Sequence, residues 1–224
     1  MNAYIFDTET TGLNEPVIVE AAWLKLDEIN GIPRVAGSFM QRYFPGKPIE
    51  VGALATHHIL DAELVNQPPA SQFSLPADAE YIIGHNVDFD WQVAGKPDVK
   101  RICTLALCRS LWPDASSHGQ SAMLYYLSDN RVETRERLKN AHSASADVEN
   151  CLHLLCKIRE AIGNLQSWHD LWLRSEEARI PKIMPFGKHK GMDISQLPLD
   201  YKRWLLKQAD VDPYLVTALK GGTA

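Results

Sequence analysis

The sequence predicts an α/β fold built on a mixed sheet, and three observations point there. Apolar runs with strand character come first and are joined by a turn signal. Later strand-like runs alternate with stretches of helical spacing. One long amphipathic helix closes this pattern before the composition changes near residue 179. Strands followed by strand–helix alternation require a sheet with both antiparallel and parallel pairs.

The elements follow in order. Ala3 to Phe6 is a short apolar run ending at Asp7, and Val17 to Leu26 is long enough for a second strand. Ser38 to Phe44 alternates as a third, with Asn30-Gly31 as the turn signal of an antiparallel hairpin. Ala53 to Ile59 reads as helix. Tyr81-Ile82-Ile83 reads as a buried strand that passes through Gly84 into a helix near Val87 to Ala94, and Ile102 to Leu111 as a strand and helix. The strongest helix is Ala146 to Ile162. Val148, Cys151, Leu152, Leu155, Ile158 and Ile162 keep helical spacing, Ser145 is the expected N-cap and Gly163 the expected stop. Another amphipathic stretch runs from Gln166 to Ala178. Pro181, Pro185, Gly187, Gly191 and Pro198 then punctuate a β-hairpin-like segment before a helix from Asp200 to Gln208. A main domain of residues 1–178 and a small appendage of residues 179–224 are expected.

Composition narrows the function classes. Of 224 residues, 45% are hydrophobic and 23% charged, which suits a globular core and excludes disorder as the main state. No apolar run approaches the ~20 residues that span a bilayer. The N-terminal segment lacks a signal-peptide pattern, so a cytoplasmic protein without membrane partners is expected. Cys103, Cys108, Cys151 and Cys156 form two pairs with wider spacing than a zinc knuckle, so reduced thiols are expected in place of a disulfide or structural zinc framework. Net charge is −5. It is unevenly spread: residues 179–224 hold eight Lys or Arg against four Asp, and the rest of the chain holds 15 against 24 acids. An acidic body with a basic appendage fits a metal-using site joined to an anion-binding segment, or simply two solvated surfaces.

Three constellations carry chemistry. Asp7 and Glu9 lie two apart at a strand end, so both side chains share a face; a hard divalent cation neutralises such a pair well. Gly84-His85-Asn86-Val87-Asp88-Phe89-Asp90 follows a buried strand, where α/β sheets place ligands. Asp90 can turn inward from the first helical turn, Asp88 can face solvent, and Asn86, a candidate substrate-binding residue, can cap the helix or hold a neighbouring loop. His142-Ser143-Ala144-Ser145-Ala146-Asp147 puts a histidine with near-neutral pKa ahead of an acid in the first turn of the best helix. Taken singly these signals are ordinary. Together, four carboxylates and one histidine are the set that a two-metal phosphoryl hydrolase needs.

The motifs Asp7-Thr8-Glu9-Thr10, His85 through Asp90, and His142 to Asp147 resemble those of DnaQ-like 3′–5′ exonucleases, in the branch named for four acids and a histidine. The likeness spans residues 3–162. The runs Ile102-Cys103-Thr104 to Arg109-Ser110-Leu111-Trp112-Pro113 and Pro185 to Gly191 resemble one subgroup, while Leu26 to Gly37 and Ser117 to Ala141 depart from it. The resemblance implies a ribonuclease-H-like, five-stranded mixed sheet flanked by helices. It implies release of nucleoside 5′-monophosphates from DNA 3′ ends, single- or double-stranded, in repair or recombination. Two Mg²⁺ ions, with Mn²⁺ as a substitute, would be held by Asp7, Glu9, Asp90 and Asp147, with His142 as base. Thr10 and Thr11 are expected to meet the terminal nucleotide. Leu13 either stacks on its base or packs in the core, and His57 either lines the groove or is an ordinary surface residue. Lys188 and Lys190 either contact phosphates or sit on a solvated hairpin. An RNA 3′ end is the alternative substrate, and a non-enzymatic interaction protein of the same fold is the remaining rival.

Overall fold

The computed structural model describes residues 2–29, 32–165 and 167–221, and the chain divides into two compact units, Met1–Trp172 and Leu173–Ala224. The first unit is built on a five-stranded sheet: β1 (Ala3–Thr10), β2 (Ile18–Ile29), β3 (Ile32–Arg42), β4 (Tyr81–Gly84) and β5 (Lys100–Cys103). The strand order is β3-β2-β1-β4-β5. The β1–β2 and β2–β3 pairs are antiparallel, whereas β1–β4 and β4–β5 are parallel. The sheet is therefore mixed, as expected.

The helices of this unit are α1 (Val51–His57), α2 (Asp61–Leu64), α3 (Asp88–Val93), α4 (Thr104–Leu111), α5 (Gln120–Tyr126), α6 (Arg131–Arg137) and α7 (Ala144–Ile162). Helix α8 (Trp168–Arg179) runs on into the second unit, which adds α9 (Leu199–Leu205) and α10 (Pro213–Leu219). Gln166, the expected start of the helix before residue 179, and the Asn30-Gly31 turn lie outside the described residues, though Ile29 and Ile32 on either side of that turn pair as expected.

Strand β1 is central, and Ala3, Tyr4, Ile5 and Phe6 are buried on both of its faces. Helix α7 packs on β1 and β2 and buries Val148, Cys151, Leu154, Leu155 and Ile158, while α4 and α5 pack against α7. Phe6, Ile18, Ala21 and Tyr43 form a second apolar layer, with Phe73 stacked on Phe6. Cys103, Cys108 and Cys151 are buried in the core and Cys156 is exposed; all four are free thiols. No described helix is long and apolar enough to cross a membrane.

Several boundaries differ from expectation. Strand β3 starts at Ile32, well before Ser38. Pro33 and Gly37 hide this half in the sequence, but β3 is an edge strand, where a missing donor is tolerated. Helix α7 begins at Ala144, and the Ser143 hydroxyl caps it by accepting from Ala146 N, so Ser145 is not the cap. Helix α6 shows no apolar stripe and gives no periodic signal; Asn130 caps it through its side chain. In the second unit the expected hairpin is reduced to one antiparallel bridge, Ile183↔Asp193, flanked by Met184 N–Met192 O and Ile194 N–Lys182 O bonds. Met184, Ile194, Leu197, Leu205, Leu215 and Leu219 form the unit's own core.

Gly84 ends β4 where the backbone passes close to β1. A Cβ there would lie 3.0 Å from the Phe6 carbonyl oxygen and 3.2 Å from Val87 Cβ. Gly84→Ala is therefore expected to cost about 1–3 kcal/mol through overpacking. Urea unfolding of the variant checks this, and an unchanged midpoint contradicts the close-approach account.

Candidate active site

Asp7 and Glu9 share one side of β1, both half-buried, while Thr8 and Thr10 point to the other side and are buried. The pairing of β1 with β2 shifts register between Glu9 and Thr10, so the strand is irregular at the site itself. Although α7 starts two residues earlier than expected, Asp147 still lies in its first turn. One carboxylate oxygen from each of Asp7, Glu9 and Asp147 lies within 4.8 Å of the other two, and among the described residues this is the one such cluster of three or more metal-ligand side chains.

Asp90 comes from the first turn of α3 and is buried. Its Oδ1 accepts from Thr8 N at 2.9 Å and from Thr8 Oγ1 at 2.7 Å. This pair of hydrogen bonds to the residue between Asp7 and Glu9 fixes Asp90 against β1, beside the trio rather than within it. His142, at φ 68, is exposed, and its backbone N–H donates to Asp147 Oδ2 at 2.9 Å. Gln120 Nε2 and Asn150 Nδ2 donate to Asp147 Oδ1 at 3.0 and 3.4 Å. The structure thus gathers Asp7, Glu9, Asp90 and Asp147 and sets His142 next to Asp147. Asp88 instead pairs with Arg101.

Three supporting residues were missed from the sequence. Glu20 on β2 stands opposite Glu9 in register and is only 2% exposed. Its Oε1 accepts from Ala144 N at 2.9 Å and its Oε2 from Arg42 Nε at 2.9 Å, and Arg42 also reaches Glu63. One carboxylate therefore joins β2, β3 and the first N–H of α7. An acid in the middle of the apolar run Val17 to Leu26 was a readable signal. Asn150 on the buried face of α7 was another; Gln120 gave none.

The remaining candidates separate clearly. Thr10 Oγ1 donates to the Gly12 carbonyl, and Thr11 Oγ1 accepts from Val17 N, so both hydroxyls are used within the β1–β2 loop. Gly12 has φ 153, a backbone conformation that favours glycine, and a Cβ there would meet the Glu50 carboxylate. Leu13 just beyond is 84% exposed and does not pack in the core. His57 is buried: Nδ1 accepts from Ile59 N, so Nε2 carries the proton and donates to the Thr10 carbonyl at 3.2 Å. Both ring nitrogens are tied to backbone, and His57 braces the turn before Leu13 rather than standing on the surface. Asn86 is exposed at φ 73 and supplies a left-handed turn into α3 in place of a side-chain cap. His85 lies between Thr104 and the His118 carbonyl, and burial pushes its pKa down to about 4. In the second unit, Lys188 and Lys190 are exposed on a tight turn bracketed by Gly187 and Gly191.

The electrostatics follow from this crowding. Burial, then repulsion from Asp90, Asp147 and Glu9, holds Asp7 well above the usual carboxylate range. Burial and the Asp147 charge push Glu9 up to about 8. Asp90 rises to about 7 through burial, although its Thr8 bonds oppose this, and burial also raises Asp147. Among the described residues no Lys or Arg pairs with any of the four. An all-oxygen donor set with uncompensated like charge fits a hard divalent cation.

Comparison with known proteins agrees with this chemistry. No family model matches the chain. It is 29% identical over 228 residues to exodeoxyribonuclease 10 of Escherichia coli strain K12, covering 96% of both chains. It is similar to a solved structure of exonuclease X in complex with 5′-overhanging duplex DNA, with TM-score 0.57 and 27% identity, covering 76% of this chain and 99% of the other. A zinc-bound E. coli ExoI–ssDNA complex matches with TM-score 0.60 and 17% identity over 94% of this chain and 60% of the other, which supports the fold alone. The sheet and its helices are those of a ribonuclease-H-like exonuclease fold.

Glu9 has a folded-state pKa of about 8 against an ordinary 4.5. Between those values the metal-free folded protein binds more protons than the unfolded chain, so its stability falls as pH rises through that window. Thermal melts in EDTA are expected to show this decline. Glu9→Gln should lessen it and Mg²⁺ should offset it, while a pH-independent difference between EDTA and Mg²⁺ melts would contradict the charge-crowding account.

Proposed function

We propose, for a chain that resembles the DnaQ-like exonucleases in sequence and fold, that it is a divalent-metal-dependent 3′–5′ exodeoxyribonuclease releasing nucleoside 5′-monophosphates. The observation that carries this reading is the approach of Asp7, Glu9 and Asp147 within 4.8 Å, with Asp90 pinned beside them by Thr8. The 96% coverage of a relative named exodeoxyribonuclease favours DNA over RNA.

In this mechanism Asp7, Glu9, Asp90 and Asp147 would hold two Mg²⁺ ions. Such ions, when bound, offset charge on the phosphate oxygens and lower the pKa of the attacking water. His142, exposed beside Asp147, accepts the proton of the attacking water. Its left-handed backbone and its N–H bond to Asp147 tie its position to that of the acid. Glu20 acts at one remove, because it anchors the first N–H of α7 and so the helix that carries Asp147. Leu13, exposed just past the end of β1, offers an apolar surface for the terminal base, since every base has a π-face. Lys188 and Lys190 meet phosphates in a way that carries no sequence information.

A Mg²⁺-dependent assay on 3′-labelled single-stranded DNA, duplex DNA and RNA tests this directly. Asp7→Ala is expected to reduce digestion to background. His142→Ala should lower it by about 10²–10⁴-fold, the usual contribution of a general base, with the fold intact by circular dichroism. Near-wild-type digestion by either variant contradicts the assignment, and faster digestion of RNA than DNA contradicts the substrate.

A further inference from the structure

The second unit carries a row of rings that no part of the proposed chemistry uses. His189 and Tyr201 lie with ring centroids 4.5 Å apart, and Tyr201 and Trp204 with centroids 5.5 Å apart at an interplanar angle of 33°. Tyr201 and Trp204 stand three apart on α9, hence on one side of that helix. The row is anchored at one end, because Tyr201 packs against the unit's own core. At the other end Trp204 is 53% exposed, and Phe186 is 45% exposed next to the turn that carries His189. Trp204 is thus held by a neighbouring ring on one side and open to solvent on the other.

The charges around the row say what would cover it. Lys188 and Lys190 flank His189 in the chain, and Lys202 and Arg203 lie between the two α9 rings in sequence, with Lys207 just beyond. Lys188, Lys190, Arg203 and Lys207 are exposed. The opposing acids are few and partly engaged. Asp193 accepts from Ser195 N and Oγ, and Asp212 caps α10 through Tyr214 N and Leu215 N. An apolar protein partner would not require so many cations. A ligand with regularly spaced negative charge and flat apolar groups suits both features.

We propose that this face of the second unit binds single-stranded DNA, with bases stacked on Trp204 and the neighbouring rings and phosphates met by Lys188 and Lys190, which flank His189 in the chain. The inference rests on the exonuclease reading for its choice of nucleic acid. It adds a binding site different in kind from the acidic cluster. Stacking tolerates any base and the cations follow the backbone, so the face binds without sequence preference.

The test uses the full-length chain and a fluorescently labelled 20-nucleotide dT oligomer in EDTA, where hydrolysis does not occur. Fluorescence anisotropy should show Trp204→Ala binding about tenfold or more weakly, within the range that stacking of one base supplies. Trp204→Phe should recover most of that loss, which a merely structural role for the indole would not predict. Lys188→Ala with Lys190→Ala should lower the salt dependence of binding, by about one unit of slope for each phosphate no longer neutralised. Digestion of a labelled trinucleotide in Mg²⁺, too short to need a second grip, is expected to stay unchanged in Trp204→Ala and Trp204→Phe. Wild-type affinity in Trp204→Ala overturns the proposal, as does equal binding of a duplex and the single strand. Failure of the wild-type chain to digest the trinucleotide in Mg²⁺ overturns the exonuclease reading instead and leaves the binding result to stand or fall by itself.

Discussion

Like charge gathered at the carboxyl end of β1 shapes everything around it. Four carboxylates approach one another without a Lys or Arg partner among the described residues, and burial makes their mutual repulsion more costly still. Such a cluster survives in a folded chain only if the scaffold holds it rigidly or a cation neutralises it. The scaffold contribution is visible. Thr8 grips Asp90 with both backbone and hydroxyl, Gln120 and Asn150 grip Asp147, and Glu20 secures the start of α7. The Thr8, Gln120 and Asn150 donors favour the ionised forms of Asp90 and Asp147 and oppose, without cancelling, the effect of burial. The residual imbalance is what makes the site receptive to metal.

The topology explains why residues so far apart in sequence meet. Antiparallel β2 and parallel β4 flank β1, so the loops after β1 and β4 open at the same end of the sheet. Asp7 and Glu9 come from β1 itself, Asp90 from the helix after β4, and Asp147 from the helix packed on β1 and β2. His142 alone of the five sits on an exposed loop position, and it is the group whose proposed role requires it to exchange protons with solvent.

Much of this was legible in the sequence, and the failures have physical causes. The two-residue spacing of Asp7 and Glu9, the buried strand before Asp90 and the helical period after Asp147 each set a side chain's face from pattern alone. The choice of Asp90 over Asp88 came from the resemblance, and in the structure Asp88 pairs with Arg101 while Thr8 bonds Asp90. What pattern lacked was the company each residue keeps. His57 has the look of a surface histidine but is a buried brace, because its partners Thr10 and Ile59 are met only through the turn after β1. Ser143 displaces Ser145 as the cap because the Glu20 carboxylate already satisfies the Ala144 N–H and permits an earlier start. The edge position of β3 makes Pro33 harmless, and α6 is held by a cap and tertiary contacts instead of an apolar stripe.

The two units divide the work along lines that their composition already suggests. In the function proposed above, an acidic body supplies the chemistry, and a basic appendage with exposed rings supplies a surface for a polyanion. Mn²⁺ titration followed by electron paramagnetic resonance tests the core of this account most directly. Convergence of the four carboxylates predicts that two Mn²⁺ ions bind per chain with a spin-coupled signal, and that Asp7→Asn abolishes the coupling. Uncoupled, weak binding that is unaffected by Asp7→Asn would contradict it.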